Sequence, residues 1–507
     1  MSEPIEWVKK VVRASYGVYE TEQEKQEYYL EMEEEYLRFS DKERENIRDI
    51  MLERFEVNDM MFVFSNILCY MKVKDFQEDA MKNILRGNFD AYTGSLLKYQ
   101  SLFHVKGEYE SKRLLNKRNM MSYDEMLNVN YSYIPIERRN KKRIVIVTGQ
   151  MLNTRHSPTL ALLNMAYALQ ECLGYEVLFF ICPCDGRLSQ ELWYKQVIEV
   201  KIEHWRNNPV KVEYRGVNFY GYQISMEPYN LKEFSMMLAL IHAWNPIFVL
   251  NADTTNSVVE LVNKFTTLVA LTMSIECPIS EGEILIRLGK MDNDTEQKYA
   301  KVIEDYQKQL FLKEKFPIIT EENTGILTRI ELGLPESKFL IAIVGNRLKM
   351  DIDNEFVQVM KSILEEVQNI AFVIIGVFDG EEWFADEIFR EHLYYLGYCS
   401  DLIGVYKVLD LYLNPKRAGG GYSGGMALQA ELPVITLPDC DVAYNCGSNF
   451  VVQNYEEMIE TVCRYVNDQD FYYQKKVQVQ KYNDEDRDNG LVRFVEELLE
   501  GINRLMK

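Results

Sequence analysis

Five glycines fall within seven residues, Gly419 to Gly425, directly after a short apolar run and directly before a stretch with helical character. The full segment reads Leu411-Tyr-Leu-Asn414-Pro-Lys416-Arg417-Ala-Gly-Gly420-Gly421-Tyr422-Ser423-Gly424-Gly425-Met-Ala-Leu. Few folds tolerate so much glycine at a strand-to-helix passage, because each one costs backbone entropy. The gain is that glycine reaches positive φ and lets backbone N–H groups approach a ligand closely. The helix that follows adds partial positive charge at its N-terminus. Lys416 and Arg417 supply cations beside it, and together these parts suit a diphosphate. The competing reading is a glycine-rich turn packed tightly against its neighbours. The spacing does not fit G-x-x-x-x-G-K-[ST], which excludes a P-loop NTPase.

The loop sits in an alternating α/β texture. Ile144 to Val147 reads as a buried strand, Pro158 to Leu173 as a helix and Glu176 to Ile181 as a strand. That order is the signature of a parallel sheet. Further strands are expected at Ile247–Asn251 and Leu268–Met273. A second unit begins near Pro317, with strands at Phe339–Val344, Phe372–Ile375, Leu409–Leu413 and Val434–Leu437 and a helix at Phe356–Val367. Leu491 to Met506 reads as a closing helix.

At 507 residues the chain is too long for one core. The reading divides it into a helical N-terminal domain or appendage (1–138), a first α/β domain (139–315), a second (316–485) and a C-terminal helix (486–507). Helical spacing in the first part shows in Met51, Phe55, Met60 and Phe64. Eight glutamates between residues 20 and 35 read as a solvated helix face, or as a docking surface for a basic partner. The basic cluster Arg138 to Arg143 reads as a linker into a strand.

The formal net charge of −21 disfavours general binding to nucleic acid or to anionic membrane. No stretch approaches the roughly 18–20 apolar residues of a membrane span, and no signal segment precedes residue 13, so a cytoplasmic protein is expected. Nine cysteines spread along the chain form no disulfide framework. Cys182 and Cys184 lack a partner pair for a structural metal.

From Gly397-Tyr398-Cys399-Ser400-Asp401 to Pro433-Val434, the second unit resembles the donor-binding domain of GT-B glycosyltransferases. The likeness extends over roughly residues 143 to 480. It implies two Rossmann-like domains facing a cleft, a nucleotide diphosphate sugar as donor (UDP by default) and no metal or other cofactor. Arg347 and Lys349, after the strand ending at Val344, resemble the basic pair that grips the donor pyrophosphate. One subgroup, the retaining enzymes, carries Glu-x7-Glu in the glycine loop; here Ala418 and Met426 stand at those positions. The other subgroup resembles O-GlcNAc transferase and bacterial cytoplasmic N-glycosyltransferases. Ala427 stands where its ribose-binding aspartate would be.

The loops that end strands of the first unit would face the donor. His156 is a candidate general base, with a side-chain pKa that ordinarily lies near neutrality, and Arg155 beside it is a second phosphate candidate. Asp253, which equally suits a capping role, and Glu276 are the candidate carboxylates. The expected reaction is sugar transfer to a protein or glycan acceptor, with a homo- or hetero-oligomer open as the assembly. The missing carboxylates admit an alternative, a GT-B-shaped protein without catalysis that serves as partner or chaperone of an active glycosyltransferase. A sugar-nucleotide epimerase of the same shape is a third reading.

Overall fold

The structure, a computed structural model, describes every residue except 1–2, 20–21, 55–56, 72–73, 106, 152–155, 183–209, 225–229, 320–326, 347, 379–386, 418 and 484–486. Phe55, Arg155, Cys184 and Arg347 therefore lie outside the described residues, and the side chains of Met60 and Lys349 are likewise not described.

The N-terminal region is helical: α1 (Glu3–Tyr16), α2 (Glu22–Leu37), α3 (Asp41–Arg54), α4 (Val57–Tyr70), α5 (Lys74–Arg86), α6 (Ala91–His104) and α7 (Tyr109–Leu127). Its helices bury their apolar stripes on one another around Trp7, Val11, Tyr36, Phe64 and Ile67. Trp7 Nε1 donates to the Met32 carbonyl at 2.9 Å, which satisfies the one polar atom of that buried ring. The region is not a loose appendage. Along α6 and α7 it is sewn to the first lobe by polar contacts: Lys98 and Asn116 to Ser257, and Arg113 to Glu281 and the Val302 carbonyl.

The first lobe is an eight-stranded sheet in the order β3-β4-β2-β1-β5-β6-β7-β8. Its strands are β1 (Asn140–Thr148), β2 (Glu176–Ile181), β3 (Val210–Tyr214), β4 (Val217–Gln223), β5 (Pro246–Asn251), β6 (Leu268–Leu271), β7 (Ile284–Arg287) and β8 (Lys308–Phe311). All pairings are parallel except the β3–β4 hairpin at the edge. The basic cluster is part of the fold rather than a linker. β1 already begins at Asn140, and Arg139 is buried, donating to the carbonyls of Ile134 and Ile247 and to Thr267 Oγ1.

The second lobe is a five-stranded parallel sheet in the order β11-β10-β9-β12-β13, formed by β9 (Phe339–Gly345), β10 (Ile370–Gly376), β11 (Leu393–Gly397), β12 (Leu411–Leu413) and β13 (Val434–Ile435). The order reverses between β9 and β12. A ligand crevice is expected outside the carboxyl ends of strands at such a switch point.

The last helix, Arg487–Leu505, returns to the first lobe. Leu491, Phe494, Val495, Leu498 and Ile502 join the core that holds Ile146 and Leu163. Burying five such side chains contributes on the order of 10 kcal/mol before ordering costs are subtracted.

Candidate functional site

A cleft of about 870 Å³ lies between the two sheets at their carboxyl edges. The second lobe contributes Gly345 at the end of β9 with Asn346 and Asp351 after it, Gly376 at the end of β10, Tyr398 to Ile403 after β11, and Arg417 with Gly419 to Ser423 after β12. The first lobe contributes His156, Ser157 and Pro158 after β1, and Met273 to Ile275 after β6. Leu160, Met165, Phe316 and Phe494 form an apolar floor. Asp441 and Tyr444 close the base.

The glycine loop is built as its sequence demands. Gly419 and Gly420 have φ of +87° and +78°, the left-handed region in which a side chain is strained. Gly420 caps the helix Gly421–Gln429, and no side chain occupies that cap. The first N–H groups of a helix have no intrahelical partner, and the residues that start this one, Gly421 to Ser423, line the cleft. An anion is the complementary ligand for that position.

Not every glycine serves the cleft. A Cβ on Gly424 would meet Val442 at 2.8 Å, and one on Gly425 would meet Ile318 at 2.5 Å. Those two glycines let the helix pack closely against its neighbours, as the competing reading of the loop anticipated. Gly421 is shared between both roles: it lines the cleft, and a Cβ there would clash with the Asn445 side chain.

Arg417 is placed otherwise than a free phosphate cation. Its side chain is buried, at 8% exposure, and spans the space between β9 and the glycine loop. Nε donates to Asn414 Oδ1 at 2.9 Å, one terminal nitrogen donates to Asp351 Oδ2 at 3.0 Å, and the other to the Val344 carbonyl at 2.7 Å and Tyr412 Oη at 2.9 Å. Four of its five N–H groups are thus engaged within the protein. Arg417 is a strut under the loop, and the one remaining N–H can reach the cleft. Asn414 is buried beneath it, donating to Thr436 Oγ1, and does not line the cleft. Lys416 is exposed and also lies outside the lining.

Tyr422 and Ser423 line the cleft at the helix start. Tyr422 Oη donates to the Ile319 carbonyl at 2.8 Å, and Ser423 Oγ to the Gly420 carbonyl at 2.8 Å. Beneath them, burial raises the Tyr412 phenol.

In the first lobe, His156 is half-buried in the lining, with Nδ1 2.8 Å from Thr159 Oγ1. That contact fixes the ring at the entrance of the helix Ser157–Tyr167. The two carboxylates separate from it. Asp253 Oδ1 accepts from the Thr255 N–H at 2.9 Å and shapes its own turn, outside the lining. Glu276 is exposed and is not among the lining residues, although its neighbours Ser274 and Ile275 are.

Sequence reasoning overlooked Asp441, Asn346, Asp351 and Tyr398. Asp441 is 8% exposed, and burial raises its carboxyl above the usual range against the opposing effect of two backbone N–H donors. Tyr398 is 54% exposed at the cleft rim, an aromatic face open to solvent. Among the described residues lining the cleft, Arg417 is the one Lys or Arg side chain, and it is ion-paired with Asp351. No cluster of three His, Cys, Asp or Glu side chains that could hold a metal occurs among the described residues. No described helix is long and apolar enough to cross a membrane.

No family model and no curated protein matches the chain. Solved structures do. A mutant of Thermobaculum terrenum O-GlcNAc transferase aligns over 100% of this chain and 98% of its own, at 12% identity and a TM-score of 0.58. Anabaena Alr3699/HepE in complex with UDP-glucose aligns over 71% of this chain and 99% of its own, at 11% identity and a TM-score of 0.48. WaaG, a glycosyltransferase involved in lipopolysaccharide biosynthesis, covers 70% of this chain and 98% of its own, at 13% identity and a TM-score of 0.46. At such identities the likeness bears on architecture. Two parallel-sheet lobes across a cleft, with a helical N-terminal region, match the first of these over the whole chain, and the chain has the GT-B fold.

Proposed function

We propose that this chain is a glycosyltransferase that takes a sugar from a nucleotide diphosphate sugar, UDP by default, and passes it to a protein or glycan acceptor. One observation carries the reading: the uncapped N-terminus of the helix Gly421–Gln429 opens on a cleft between two GT-B lobes, with His156 on the opposite wall. The diphosphate sits on the N–H groups of Gly420 to Tyr422, where partial positive charge stabilises the leaving group as it develops charge. The base lies toward Tyr398 and Ser400, and the sugar points toward His156. His156 accepts the acceptor's proton or donates to a phosphate oxygen. The site as proposed needs no metal, since backbone dipoles take that part.

A second reading, a catalytically inactive partner of an active glycosyltransferase, draws on the charge of the cleft. Asp351, Asp401 and Asp441 line it, Arg417 is neutralised by Asp351, and Ala427 is buried in the core where the resembled family carries a carboxylate.

Calorimetric titration with UDP, GDP and a panel of their sugars separates the two, together with slow hydrolysis of the bound sugar nucleotide in the absence of acceptor. Saturable binding with release of free sugar supports the enzyme. Absence of binding by the folded protein overturns it in favour of the partner.

A further inference from the structure

The glycine loop is held by a residue that also reaches the other lobe. Asp441 opens the short helix Asp441–Cys446 after β13, yet its carboxylate does not cap that helix; Cys440 Sγ does. Asp441 Oδ2 accepts from the Gly419 N–H at 2.8 Å, and Oδ1 accepts from the Ile275 N–H at 2.8 Å. Gly419 belongs to the glycine loop of the second lobe, whereas Ile275 follows β6 in the first. The bond to Ile275 is buried, in a place where water cannot replace a lost partner, and the bond to Gly419 is part-buried at the cleft. Asp441 also presses on the helix start: a Cβ on Gly421 would meet its Cβ at 2.9 Å. The same short stretch makes a further contact across the lobes, where Tyr444 lies against Gly289.

Building on the nucleotide-site reading, we propose that Asp441 is a positioning residue that couples the approach of the two lobes to the shape of the glycine loop. One carboxylate oxygen keeps Gly419 in its left-handed conformation, which aims the N–H groups of Gly420 to Tyr422 into the cleft. The other oxygen ties that arrangement to the loop after β6. Separation of the lobes pulls on Asp441, and Asp441 releases the loop, so the anion site is complete only with the first lobe engaged. The charged groups that act on this carboxylate are Glu276 from the first lobe and Arg417 from the second.

The test uses the full chain, UDP as probe and Asp441→Asn, whose amide keeps the size but can accept only one of the two N–H groups. The expected results are UDP affinity weaker by at least about tenfold, the factor that follows from one buried donor left without a partner, and a larger radius of gyration in small-angle scattering without ligand. Unchanged affinity, or weakened affinity with an unchanged scattering curve, overturns the coupling. Should that variant not fold, Ile275→Pro against Ile275→Ala makes the same comparison from the first lobe, since proline deletes the N–H and alanine keeps it. Equal UDP affinity of the two then overturns it. Wild-type protein that binds no UDP refutes the nucleotide site instead, and the scattering comparison still decides the latch.

Discussion

Substituting Arg417 by glutamine separates a structural cation from a ligand-binding one. The guanidinium holds Asp351, Asn414, Tyr412 and the Val344 carbonyl from a buried position. Glutamine is too short to span them and leaves the Asp351 carboxylate without its charge partner. Removing one member of a buried ion pair costs about 3–5 kcal/mol. Spread over a lobe of this size, where each kcal/mol moves the midpoint by about 2–4 °C, the second lobe should melt roughly 10 °C earlier. Lys416→Ala, at an exposed position, should change stability by no more than about 0.5 kcal/mol. Scanning calorimetry of both variants, with and without UDP, makes the comparison. The reasoning fails if Arg417→Gln melts like the wild type and merely loses UDP binding, because a cation spent on the ligand would behave in that way.

Three further outcomes follow from named contacts. Gly420→Ala forces a side chain into φ +78°, which costs about 1–2 kcal/mol, and places a methyl 2.6 Å from the Arg417 guanidinium; thermal melting should fall and UDP affinity with it. His156→Ala should leave UDP affinity within about threefold while sugar transfer or hydrolysis drops by about 10²- to 10⁴-fold, read by product release at saturating donor. Burial pushes the Glu260 carboxyl up to about 7 in the folded protein, with the nearby Lys98 opposing it. The folded state therefore holds that proton more tightly than the unfolded one. Its contribution is present below the unfolded value and is lost as pH rises through about 7. Glu260→Gln should melt higher relative to wild type at pH 8 than at pH 5, and an equal difference at both would refute this.

Elements whose cause is local were legible in the sequence. The strand Leu411–Leu413, the left-handed glycines and the helix after them all follow from composition within twenty residues. The β3–β4 hairpin was missed although its signal is present: Val210, Val212 and Tyr214 alternate with Lys211 and Glu213, and Arg215-Gly216 forms the turn with φ of +50° and +76°. The true place of Arg417 was not legible, because its partners Asp351 and Val344 lie 66 and 73 residues away in the chain. Asp253 and Glu276 were nominated for sitting after strands, but a carboxylate in such a loop as readily serves the loop itself. Asp441 opens the short helix that follows β13, at the same carboxyl edge, where the rule applied to the other strands points as well.

The central claim is that the N-terminus of the helix Gly421–Gln429 receives a diphosphate. A crystal structure of the protein soaked with UDP tests it most directly. The account predicts phosphate oxygens within about 3 Å of the N–H groups of Gly420, Gly421 and Tyr422, with the uracil near Tyr398. A nucleotide bound elsewhere, or bound with its phosphates turned away from this helix, would contradict it.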